Sequence, residues 1–303
     1  MLFLIRYGEI GLKSPQVRRR LRDRLVTNIQ DSHLKDGIEC ITSPEEGRIF
    51  VWSKNVERSK FILSRTFGVV SFSPVVDCSS EPEDVIRNVL EHFKDLLRSG
   101  RSFAVRVRRT GSHSYTSQEL ASTIGARVQS SFEGLRVDLN TPDLKIFVEI
   151  RGKDGYVYSE TIPGPGGLPL GSQGKVLGLV DCVRGALSCW LMMKRGCKVH
   201  FAFMNGVELV QLLEGWDPKP RSHRVRNERE FYDLAERLGV EGVVFGSDIK
   251  ETFSQKREDL AVFYPVLGLS SIEIDNLARR IGLENHAHEE TQKVADKTND
   301  AHY

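Results

Sequence analysis

The chain has 303 residues, 40% of them hydrophobic and 28% charged, which suits a globular protein of two or three domains and excludes wholesale disorder. Net charge is only +2, so composition alone does not mark a nucleic-acid binder. No apolar run approaches a membrane span and MLFLIRYGEIGLK lacks the features of a secretory signal, so a cytoplasmic protein with no membrane partner is expected. Five cysteines without a CxxC pair predict reduced thiols, with neither a disulfide framework nor a metal site.

Charge is unevenly placed: residues 1–25 carry seven Lys or Arg against two acids, and residues 284–303 carry five acids against two Lys. In chain order, LFLIR (2–6) reads as a strand. Ser14 and Pro15 are a cap and first helical position for a helix to about Ile29. Its apolar stripe, Val17, Leu21, Leu25 and Ile29, turns Arg18, Arg19 and Arg22 outward. Strands near 38–42 and 47–53, a helix over 55–65 and a strand over 69–76 complete a β-α-β-β-α-β, ferredoxin-like pattern over residues 1–76.

A second mixed unit is expected over 77–163. Ser80 with Glu83 looks like a capping box, and Val85, Ile86, Val89, Leu90, Phe93 and Leu97 give that helix a buried face. SFAVRVRR (102–109) alternates, with Phe103, Val105 and Val107 inward and Arg106 and Arg108 outward. Thr116 or Ser117 starts a helix buried through Leu120, Ile124 and Val128, and strands follow over 145–151 and 156–161.

PGPGGLPLGSQG (163–174) is a connector; a P-loop would need glycine where Pro169 stands and Ser or Thr at Val176. The third region, 164–303, alternates strands (175–180, 198–203, 242–246) with helices (185–194, 228–238, 272–282), which predicts a parallel sheet before a peripheral polar tail from Glu284.

RYGEIGLKS (6–14), FAVRVRRTGSHSYTSQEL (103–120), VDLNTPDLKIFVEIRG (137–152), GGLPLGSQGKVL (166–177) and WLMMKRGCKVHF (190–201) resemble the tRNA 4-thiouridine sulfurtransferases, the ThiI type also linked to thiamine biosynthesis. The resemblance runs over nearly the whole chain. It implies an α/β and α+β protein: an N-terminal ferredoxin-like domain, a THUMP RNA-binding domain, and a truncated, Rossmann-like PP-loop domain. In that family the first two hold tRNA and the third adenylates uridine 8 before sulfur replaces its oxygen.

Departures from the family pattern matter most. Where a PP-loop enzyme reads SGGxDSP, so that glycine amides and a helix N-terminus hold the pyrophosphate of ATP, this chain reads DCVRGAL (181–187). Val183 and Arg184 are bulky there, although Arg184 offers charge. Leu179, Val180, His200, Phe201, Arg224, Gly246 and Gln255 match positions that flank the nucleotide in the family, so ATP with Mg²⁺ is expected to bind weakly or not at all. Ser270 and Ser271 replace an Asp-Lys pair, and the short stretch from His200 to Arg224 suggests a lost strand and helix. A rhodanese-like segment after residue 303 is not expected, which makes Cys182, Cys189 and Cys197 candidate sulfur carriers and a separate enzyme the expected partner for sulfur transfer.

RNA is followed through phosphates and 2′-hydroxyls, which calls for basic arrays. Arg106, Arg108 and Arg109, then His113, Thr116 and Ser117, form the expected tRNA surface, extended by Lys13, Arg18, Arg19 and Lys175. Tyr115 reads as a core or hinge aromatic. The expectation is a tRNA-binding homodimer of this family, impaired or inactive in uridine adenylation and with no catalytic residue assigned; the alternative is an active sulfurtransferase making 4-thiouridine at position 8.

Overall fold

The computed structural model describes residues 1–8, 14–98, 100–246 and 260–283; Lys13, Gln255 and the polar tail lie outside the described residues. In chain order its elements are β1 (Leu2–Tyr7), α1 (Pro15–Lys35), β2 (Cys40–Glu45), β3 (Arg48–Ser53), α2 (Val56–Ser64), β4 (Val69–Ser79), α3 (Pro82–Phe93), β5 (Ser102–Thr110), α4 (Ser117–Ser131), β6 (Arg136–Val137), β7 (Leu144–Arg151), β8 (Asp154–Tyr158) and β9 (Ile162–Pro163). There follow β10 (Lys175–Leu179), α5 (Val183–Lys194), β11 (Lys198–Phe203), α6 (Val207–Glu214), β12 (Ser222–Arg224), α7 (Glu228–Leu238), β13 (Gly242–Val244), β14 (Ala261–Phe263) and α8 (Ser271–Ile281). No described helix is long and apolar enough to cross a membrane.

Two compact units form. The first joins Met1–Arg6, Cys40–Glu57 and Ser71–Pro163; the second joins Tyr7–Glu39, Arg58–Val70 and Gly164–Tyr303. The first holds a nine-stranded sheet with the order β2-β3-β1-β4-β8-β7-β5-β6, β9 pairing with β4. The run β2-β3-β1-β4 is the ferredoxin-like order expected from the β-α-β-β-α-β pattern. β4 serves both halves: it lies beside β1 on one side, while Val76–Ser79 pair with β8 and Ser71 and Phe72 with β9. The expected boundary at 76/77 therefore falls inside one continuous strand.

α3 and α4 cover the second half of this sheet, packing Val85, Ile86, Val89, Leu120, Ile124 and Val128 on Phe103, Val105, Ile146, Val148 and Ile150. The N-cap of α3 is Glu81, not Ser80, because Pro82 takes the first helical position and the Asp84 carboxylate accepts from the Ser79 amide. On the other face, Phe50 of β3 stacks on Tyr156 of β8 at 4.6 Å, although β1 and β4 lie between those strands in the sheet. The sheet therefore curls strongly on itself.

The second unit carries a five-stranded, all-parallel sheet in the order β12-β11-β10-β13-β14. Helices α5, α6 and α8 bury one face around Trp190 and Phe67, while α7 buries the other through Phe231, Tyr232, Leu234 and Ala235. Phe67, Trp190 and Trp216 meet with ring centroids 5.4–5.5 Å apart, edge-on or tilted, which suits aromatic rings. The stretch from His200 to Arg224, expected to have lost a strand and helix, still contains α6 and β12. α1 runs past the expected end at Ile29 because His33, the next position of the buried stripe, bonds through its ring to the Ile29 carbonyl and Ser59.

Candidate nucleic-acid interface and nucleotide edge

Alternation along β5 puts Arg106 and Arg108 on the exposed side, as the sequence predicts, with Arg109 half-buried. Arg106 donates to the Leu139 carbonyl, and a groove of about 690 Å³ beside it runs between β5 and α4, lined by Val105, Val107, Ser117, Ala121 and Leu139. His113 bridges this region: its Nε2 lies 2.6 Å from the Gly152 carbonyl, so it donates there, and Nδ1 accepts from Arg109 at 3.2 Å. Tyr115 donates to the Ser80 carbonyl at 2.5 Å and lies tilted against the His113 ring at 5.4 Å, an anchoring role.

Thr116 sits where the phosphate-binding helix start was expected, but it is engaged in a capping box. Its hydroxyl accepts from the Glu119 amide at 3.1 Å and the Glu119 carboxylate takes the Thr116 amide at 2.7 Å. These bonds hold the Glu119 carboxyl below its ordinary range. An anion thus finds a carboxylate at this helix end. Ser117, the first residue of α4, is half-buried and faces the groove. In the second unit, Arg19 is exposed near Asp23 at 3.9 Å, Arg18 is half-buried on α1, and Lys175 opens β10.

A cluster that the sequence did not reveal lies on the concave face of the first sheet. Glu149, 3% exposed, accepts from Arg48 Nη2 at 3.3 Å and Arg151 Nη1 at 3.2 Å, and lies 3.9 Å from Arg6. Arg6 also lies 4.9 Å over the Tyr158 ring. One carboxylate thus gathers guanidinium groups from β1, β3 and β7. Arg48 and Glu149 are 101 residues apart, so no local pattern announces the pair.

The carboxyl edge of the parallel sheet leads into α5. Val180 is buried and its amide donates to the Ala202 carbonyl at 2.8 Å. Asp181 accepts from the Met204 amide at 2.8 Å, tying the β10 end to the turn after β11. Cys182 caps α5, its sulfur accepting from the Gly185 amide at 3.4 Å. Arg184 turns back into the protein, with Nε donating to the Gly246 carbonyl at 3.1 Å and Nη2 to the Val266 carbonyl at 3.4 Å. Gly246 packs so close that a Cβ on it would lie 2.2 Å from the Gly185 nitrogen. The first turn of α5 is faced by this chain's own sulfur and backbone.

Leu179, Val180, Arg184 and Gly246 are brought together on this edge, and Arg224 ends β12 in register with Phe203. His200 and Phe201 are not brought to it. Pairing of Leu177 with His200 and of Leu179 with Ala202 sets them back along β11; Phe201 is fully buried and His200 is 4% exposed. Burial first, then His223, Arg221, Lys198 and Lys175, push the His200 pKa down to about 4. No group of three or more potential metal ligands occurs among the described residues.

The fold and its sequence define a THUMP protein: residues 79–160 match the THUMP domain and residues 2–73 match the ThiI ferredoxin-like domain. Relatives include a "probable tRNA sulfurtransferase" of Methanobrevibacter smithii, 34% identical over 92% of this chain and 86% of its own length. A tRNA sulfurtransferase of Thermoplasma volcanium is 33% identical, over 92% of this chain and 67% of its own length. The chain belongs to the tRNA sulfurtransferase family. Among solved structures it is similar to PH1313 from Pyrococcus horikoshii (TM-score 0.81, 28% identity, 93% of this chain and 99% of that one). In fold it is also similar to a 4-thiouridine synthetase solved with RNA and ATP (TM-score 0.78, 22% identity, 94% and 86%).

Proposed function

We propose that this protein is a tRNA-binding member of its family, cytoplasmic and acting as a homodimer, in which ATP-dependent adenylation of uridine is impaired or lost. The observation that carries this reading is Arg184. Its guanidinium is engaged by the Gly246 and Val266 carbonyls, and Gly246 packs on the α5 N-terminus where a PP-loop would cradle pyrophosphate. The tRNA half of the reading is supported by the THUMP match, the solvent-facing Arg106 and Arg108, and the groove beside them. Arg19 on α1 adds a second basic face. Functionally the chain divides into a ferredoxin-like part (1–76), a THUMP part (77–163) and a PP-loop-like part (164–303), with sulfur transfer left to a partner enzyme.

The competing reading is an active sulfurtransferase making 4-thiouridine at position 8 with ATP and Mg²⁺. It is favoured by relatives named tRNA sulfurtransferase and by Leu179 and Val180, which stay beside the α5 N-terminus. Calorimetric titration with ATP and Mg²⁺, followed by a pyrophosphate assay on adding tRNA, separates the two. The expected result is weak or absent ATP binding with no pyrophosphate. Tight binding with tRNA-dependent pyrophosphate release overturns the impaired reading.

A further inference from the structure

At the amino ends of the second unit's strands, away from the α5 N-terminus, a cleft of about 560 Å³ opens between α1, the 163–174 connector and the segment before β12. That volume lies within the range of small-ligand sites. Five cations line it, Arg24, Lys175, Lys198, Lys219 and Arg221, against three carboxylates. The carboxylates are already engaged. Asp217 takes Lys198 at 2.5 Å, Asp31 takes Lys219 at 2.6 Å, and Glu241 accepts from the Lys175 amide at 3.3 Å. Arg24 and Arg221 remain exposed, with no carboxylate partner among the described residues. The Arg24 guanidinium lies beside Gly171 of the connector, its central carbon 3.9 Å from where a Cβ would stand.

His200 supplies a second, independent observation. It lines the same cleft although 4% exposed, its Nδ1 has no hydrogen-bond partner, and its ring stacks parallel on His223 at 5.9 Å. A buried polar atom left without a partner costs about 1–3 kcal/mol, so its persistence in a lined cavity needs an explanation. The cationic surroundings that oppose a proton on His200 favour an anion in the cleft.

We propose that this cleft binds a phosphate group, held by Arg24 and Arg221 beside His200 and carried either on a free mononucleotide or on RNA. The site is distinct from the α5 edge and does not depend on the reading given for that edge. Its test uses the full chain, titrated calorimetrically with inorganic phosphate, AMP and adenosine, and separately with tRNA. If the source is a free ligand, phosphate and AMP bind, adenosine does not, and Arg24→Ala/Arg221→Ala weakens AMP by about tenfold or more. If the source is RNA, the small ligands give no heat, and the double variant weakens tRNA while lowering the salt slope by about 2. Arg24→Lys/Arg221→Lys keeps the charge but not the planar fork, and is expected to recover part of what the alanine pair loses. The proposal is overturned if the double-alanine variant matches the parent for every ligand that binds, or if none binds.

Discussion

The arginines of β5 and the arginine at the α5 N-terminus face opposite fates. On β5, Arg108 makes no hydrogen bond with the described protein and Arg106 makes one, to the Leu139 carbonyl, so both keep N–H groups for an outside partner. At the α5 N-terminus, Arg184 gives its Nε and Nη2 to the Gly246 and Val266 carbonyls. A basic residue in the right motif position binds a ligand only if the fold leaves its donors unclaimed. Glu149 is the limiting case, since one buried carboxylate claims three guanidinium groups at once.

The most severe break of this contrast is Glu149→Ala. It leaves Arg6, Arg48 and Arg151 crowded without their carboxylate, and it is expected to destabilise the first unit by about 3–5 kcal/mol in denaturant unfolding. A loss below about 1 kcal/mol would mean that the cluster is solvent-screened and not structural. Next in size, Arg106→Ala/Arg108→Ala is expected to weaken tRNA binding about ten- to thirtyfold and to lower its log–log salt slope by about 2, whereas Arg184→Ala leaves tRNA affinity unchanged. Equal losses in both variants would erase the distinction between free and claimed arginines.

The smallest expected effect sharpens the contrast for histidines, because His113 has partners for both ring nitrogens and His200 lacks one for Nδ1. The folded-state pKa of His200 is lowered to about 4, so unfolding takes up a proton between about pH 6.5 and pH 4. Its contribution is full above pH 6.5 and is lost as pH falls through 4. Stability of the parent should therefore fall across that window, and His200→Gln should flatten the profile. An unchanged profile in that variant would place the acid sensitivity elsewhere.

Period-2 and period-4 patterns made most of the fold legible, because burial of one face is written locally. The outward Arg106 and Arg108, the Leu120-Ile124-Val128 stripe and the parallel sheet all follow from such patterns. Features decided by distant contacts were not legible. Glu149 looked like one acid in an alternating strand, and only the curl of the sheet brings Arg48 to it. His200 matched a nucleotide-flanking position by motif, but its pairing with Leu177 sets it back from the sheet edge. The Arg184 substitution was plain in the sequence; the carbonyls that engage it come from 62 and 82 residues downstream.

β4 has a consequence for how this protein can be divided. A cut at residue 76 or 77 would sever an eleven-residue strand that lies beside β1 of one half and pairs with β8 and β9 of the other. Each fragment would then present raw strand edges, the surface on which chains aggregate. A THUMP piece for RNA work should therefore keep the strand whole by starting at or before Val69, and gene fusions that split the chain within β4 should yield insoluble halves.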